Sequence, residues 1–194
     1  MSSGSASPPT KFPWSPLSEG DLERVAELSA RIVSQMSHVT DQRLQKSFFI
    51  AEVWSIEERL RRLSPAEFVA WKHGPWSIHV RQGAEAAVES GSITTTVKAA
   101  KRRPEAEFLE GAPNWKPRLL SKEDLEFLDM TLLQIRYLDN DRLTAVSKAS
   151  PPFVRTPYGE SIDLDGYLRA LNEKHAKLQN SDRIARLVAE AKAG

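Results

Sequence analysis

Four histidines, His38, His73, His79 and His175, are the side chains best suited to hold a metal or move a proton near neutral pH, and no cysteine accompanies them. No two stand three or four residues apart, the spacing that aims both at one ion from a helix face. Without thiolates the structural zinc patterns are impossible. The four therefore read as capping, hydrogen-bonding or solvated side chains. The sequence has no Gly-x-x-x-x-Gly-Lys-Ser/Thr phosphate loop, no Gly-x-Gly-x-x-Gly after a strand and no Gly-x-Ser-x-Gly elbow, so nucleotide and acyl-transfer chemistry lack their usual handles. The carboxylates Glu52, Glu57 and Glu58 share a stretch with Arg59, Arg61 and Arg62. Helical pairing of Glu57 with Arg61 and of Glu58 with Arg62 accounts for them without catalysis. The expectation is a protein with no catalytic, cofactor-binding or metal-binding residues, and not an enzyme.

Binding is the remaining chemistry, and two stretches offer it. Lys98-Ala99-Ala100-Lys101-Arg102-Arg103 is a basic cluster followed closely by Glu105, Glu107 and Glu110. A solvated loop, a contact for an acidic protein and a phosphate contact for nucleic acid all fit Lys101, Arg102 and Arg103. Trp71, Trp76 and Trp115 suit either a core or an interface anchor. Trp76 follows Gly74-Pro75 directly, where a turn would hold a rigid aromatic near the surface at little ordering cost.

The elements that must position these residues read as mainly helical. At 194 residues the chain most simply forms one domain plus tails, enough to bury about 70% of its unfolded surface. Lys and Arg number 27 against 26 Asp and Glu, so no whole-molecule field steers it toward nucleic acid or a membrane. Residues 1–17, with Pro8, Pro9, Pro13 and Pro16, read as a flexible arm in which Phe12 and Trp14 are the residues that could touch the domain. A domain over 18–180 and a helical tail over 181–194 follow. Ser18 caps a first helix with Leu22, Val25, Ala26, Ser29, Ile32, Val33 and Met36 at helical spacing. A second begins near Thr40 and is apolar nearly all round from Leu44 to Ile56, which predicts a central, covered helix. Ser77 caps a third that stops at Gly91. Ile93 to Val97 reads as a strand returning at Phe108-Leu109, one small hairpin. Ser121 caps a long amphipathic helix through Leu138, and a short helix from Asp141 to Ser147 ends before Pro151-Pro152. A last helical pair starts at Asp163 or Asp165 and re-caps at Ser181-Asp182. No secretory or membrane-spanning run is apparent, and the reading is a soluble, cytoplasmic protein.

Two stretches also carry a family pattern. Leu44-Gln45-Lys46-Ser47-Phe48-Phe49-Ile50-Ala51-Glu52 precedes Trp71-Lys72-His73-Gly74-Pro75-Trp76, and Leu143-Thr144-Ala145-Val146-Ser147-Lys148 comes before Pro151-Pro152. This arrangement, over 39–162, resembles the Panacea (SocA-like) domain, with its Leu-x-Lys helix, its Gly-Pro segment and its later Ser-His stretch. Phe48-Phe49 stands where a tyrosine is common, and Lys148 where the pattern has histidine. The resemblance implies an antitoxin that neutralises a cognate toxin by direct protein contact, in some relatives as an adaptor to a Clp-type protease, and relatives occur in phage-associated genes. It also implies that Ser64-Pro65-Ala66-Glu67, by itself a helix N-terminus signature, is an extended run into Gly74-Pro75. The rival function is a winged-helix-like DNA-binding regulator, because the order helix, strand, basic turn, strand would offer a wing to phosphates.

Overall fold

The computed structural model describes residues 12–100 and 103–193, with side chains described for 12–98 and 106–180. Among these residues the chain forms seven helices and two separate antiparallel hairpins, one hairpin more than the sequence reading expects. Helices α1 (Glu19–Gln35), α2 (Asp41–Arg59), α3 (Ile78–Glu89) and α4 (Lys122–Ile135) start where side-chain oxygens can accept an orphan backbone N–H. Those oxygens belong to Ser18, Thr40, Ser77 and Ser121, which accept from Asp21, Arg43, Val80 and Asp124.

Helix α2 is buried along most of its length, and it packs against α1, α3, α4, the later helices α5 (Asn140–Ala149) and α7 (Leu164–Ala193), and strand β2 (Gly74–Trp76). Phe48 and Phe49 meet Phe68 at ring separations of 6.2 and 5.1 Å, so the aromatic pair of α2 holds the extended segment that enters the first hairpin. That segment, Ser64 to Glu67, is not helical. Its Ser64 hydroxyl accepts from the Ala66 N–H and donates to the buried Glu52 carboxylate.

The expected Glu57–Arg61 and Glu58–Arg62 helical pairs do not form, because α2 stops at Arg59 and Leu60 turns left-handed (φ 53°). Arg61 therefore reaches Asp124, and Arg62 reaches Glu52 and Asp165. Glu57 instead accepts a hydrogen bond of 2.7 Å from the Tyr167 phenol.

The first hairpin pairs β1 (Val69–Trp71) with β2 through the two-residue turn Lys72-His73. Its other edge is closed by residues 159–162, through Gly159 N–H to Ala70 O, Ala70 N–H to Glu160 O and Ile162 N–H to Phe68 O. The second pairs β3 (Ile93–Ala100) with β4 (Arg103–Gly111), and the Leu109 N–H donates to Val39 O at 2.7 Å to tie it to the turn before α2. Pro151-Pro152 does not simply end a helix. Both prolines open the short α6 (Pro151–Val154), where their missing N–H groups cost nothing. Asp163 caps α7 by accepting the Gly166 N–H, and α7 runs through Ser181 as one helix, so the expected re-cap is absent.

Residues 12–17 are not a free arm. Trp14 meets Trp76 and His79 edge-on, each at 5.6 Å, and Ser15 bonds Glu67 and His79. A proline-rich composition argues against a self-sufficient core, not against packing on a neighbour.

Candidate functional site

Three stretches singled out in the sequence come from three elements and pack together. Lys46 lies on α2, Gly74-Pro75 forms the start of β2, and Ser147 and Lys148 lie at the end of α5. Gly74 has a φ of 108°, which L side chains rarely adopt. A Cβ there would stand 3.3 Å from Ser147 Oγ and 3.7 Å from Lys46 Cε, so both conformation and space favour glycine. The Lys148 ammonium donates to the Lys72 carbonyl at 2.8 Å, clamping the hairpin turn onto α5. A histidine in that position would have a shorter reach; here lysine makes the contact through the tip of its longer side chain.

Lys46 is 3% exposed, and its ammonium donates to the Gln42 carbonyl at 3.3 Å. Burial pushes its pKa below the ordinary lysine value, the nearby Asp41 and Asp141 carboxylates oppose that shift, and Lys148 adds to it. Its neighbour Gln45 grips the start of α3 with both amide atoms, accepting from the Ser77 N–H at 2.9 Å and donating to the Ser77 carbonyl at 3.0 Å. One turn of α2 thus fixes the hairpin, α3 and α5 relative to each other.

The two tryptophans of the pattern stand at opposite ends of the hairpin. Trp71 pairs with Gly74 beside the turn, and its half-buried ring stacks on Tyr158 with centroids 5.0 Å apart and planes 17° from parallel. Tyr158 and Val154, 65% and 68% exposed, place an aromatic and an apolar side chain on the surface in this part of the chain. Trp76 pairs with Val69 at the open end, half-buried beneath Trp14. The structure therefore brings Gly74 next to Lys46 and Ser147, stacks Trp71 on Tyr158, and directs Trp76 toward the N-terminal segment. Lys101 and Arg102 lie outside the described residues, as does the side chain of Arg103.

Charged groups that sequence alone leaves open to catalysis are engaged in holding the fold. Glu27 accepts the N–H groups of Arg118, Leu119 and Leu120 at 2.7–3.2 Å. Buried Asp124 receives Arg24, Arg59 and Arg61 at 2.6–2.9 Å. Glu52 accepts from Arg62, the Leu63 N–H and the Ser64 hydroxyl. Among the described residues no group of three or more His, Asp or Glu side chains could hold a metal ion, and no helix is long and apolar enough to cross a membrane.

Sequence reasoning named Glu67 and His79 but not their joint role, which is to hold the N-terminal segment. The available signal was an aromatic pair, Phe12 and Trp14, set between prolines. Comparison of the chain with protein-family models, with curated proteins and with solved structures gives no match.

Proposed function

We propose that this chain is a Panacea-type protein-binding domain, built round α2, that neutralises a cognate toxin by direct contact and performs no chemistry of its own. The observation that carries the reading is the meeting of Lys46, Gly74 and Ser147–Lys148, three stretches far apart in sequence, at one packed junction. A junction that fixes a hairpin and a helix terminus suits a rigid recognition surface, because preorganised contacts lose little ordering entropy on binding. The Trp71–Tyr158 stack, beside the turn of the same hairpin, supplies an aromatic anchor of the kind that dominates interfaces. The engagement of Glu27, Glu52 and Asp124 in structural contacts supports a binding role over catalysis. Delivery of the toxin to a Clp-type protease is a variant of the same reading.

Co-expression with the product of the adjacent gene tests it. Rescue of growth and a pull-down of that product are expected, with Trp71→Ala weakening binding by about 2 kcal/mol. A folded protein that binds no neighbouring gene product would sink the proposal.

The DNA-binding reading draws on one observation, that α3 leads directly into the β3–β4 hairpin, with Arg103 opening β4, while Lys101 and Arg102 lie outside the described residues. Replacing those three by alanine separates the two. Each phosphate no longer neutralised flattens the dependence of log affinity on log salt by about 0.9, whereas toxin binding through apolar anchors changes little.

A further inference from the structure

The contact between residues 12–16 and the domain has the form of a bound peptide. Trp14 inserts edge-on against Trp76 and His79, with Phe12 packed on it at 4.6 Å. Ser15 is read through its backbone alone: its N–H donates to the Glu67 carboxylate at 3.2 Å, and its carbonyl lies 2.8 Å from His79 Nε2. His79 is 1% exposed, and its Nδ1 accepts the Glu67 N–H at 3.1 Å. A backbone N–H can only donate, so Nε2 carries the proton and donates to Ser15. The Ser15 side chain itself faces solvent. One residue held by main-chain bonds and the residue before it held in an aromatic pocket is how short peptide segments are recognised.

The domain does not need the segment to complete its own elements. Helix α3 is capped by Ser77, and the Glu67 N–H is satisfied by His79. Without residues 12–16 a donor, an acceptor and an aromatic wall would remain. Pro13 sits in a γ-turn closed by the Trp14 N–H to the Phe12 carbonyl at 2.9 Å, and its fixed φ lowers the ordering cost of seating the segment.

We propose that Glu67, Trp76 and His79 form a reader of short peptide segments, occupied in this structure by the chain's own residues 12–16, and that a tryptophan-bearing, proline-flanked segment of a partner protein takes their place. The reader does not require the partner to be a toxin. Only Pro16, Leu17 and Ser18 separate Ser15 from α1, so the tethered segment competes at a high effective concentration. Its attachment makes the site selective for partners that bind tightly or arrive in high local amount.

A fluorescein-labelled peptide of residues 11–17, followed by anisotropy, tests this on the full chain. The Phe12→Ala/Trp14→Ala protein is expected to bind it saturably and at least about ten-fold more tightly than the parent. Adding His79→Leu to that protein, or Trp14→Ala to the peptide, is expected to abolish the gain. Circular dichroism melting checks the fold. If the double variant does not fold, Ser15→Pro in the full chain removes one N–H donor while leaving both aromatics, and the same affinity ratio decides. A folded variant without saturable binding overturns the proposal. So does a dimeric parent that Trp14→Ala renders monomeric, because the segment would then be exchanged between copies. Intact toxin neutralisation beside failed peptide binding would remove the reader and leave the antitoxin function standing.

Discussion

Glu52 is fully buried, and its two oxygens meet Arg62, the Leu63 N–H and the Ser64 hydroxyl. Removing it leaves a guanidinium, a backbone donor and a hydroxyl without their acceptor where water has little access. Glu52→Ala is therefore expected to cost about 3–5 kcal/mol, read from urea denaturation, because losing one partner of a buried pair strands the other. A cost below about 1 kcal/mol would mean that water or a rearranged Arg62 replaces it. Residue types alone showed that these carboxylates and arginines offset one another, but not in which register. The left-handed turn at Leu60 redirects Arg61 and Arg62, and a leucine there gives none of the warning a glycine would. The turn expected at Gly74-Pro75 falls instead at Lys72-His73, with Gly74 opening β2, and its tight neighbours, Lys46 and Ser147, become visible only in three dimensions.

Helices α1 and α3 approach so closely at Gly83 that a Cβ there would lie 2.5 Å from Val25 Cγ1 and 3.0 Å from the Val25 backbone carbon. Alanine usually favours a helix interior over glycine, yet here it would push two helices apart. Gly83→Ala is expected to destabilise the protein by about 1–3 kcal/mol despite its better helix propensity, measured by thermal or urea unfolding. A gain in stability would show that the pair separates freely. Helix starts were well marked in the sequence because a cap acts within three residues, as Ser18, Thr40, Ser77 and Ser121 do. The β1–β2 hairpin was not, since its strands are three residues long and one edge is completed by residues 159–162 from far along the chain. Local propensity carries no record of a partner so distant.

At the scale of the whole molecule, two groups set opposing alkaline responses. Lys46 has a pKa lowered by burial, so below 10.5 there is a window in which the unfolded chain holds more protons than the folded one, and stability rises with pH. Tyr167 is shifted the other way, raised by burial and by its hydrogen bond to Glu57. Above 10.0 the folded chain holds the extra proton and stability falls. Urea titrations between roughly pH 8 and 11 should show the rise disappear in Lys46→Met and the fall disappear in Tyr167→Phe. The mainly helical class was legible from periodicity. The seat of residues 12–17 was not, because composition reports what a segment can bury by itself and not what a neighbour can bury for it. Helix α7 raises a question of shape. Its 30 residues extend about 45 Å, and every described side chain from 172 to 180 is exposed. A compact chain of this length has a radius of gyration near about 16 Å. Small-angle scattering should give a larger value, and amide relaxation should report slower tumbling about axes perpendicular to α7 than about α7 itself, as for a rod fixed to a ball.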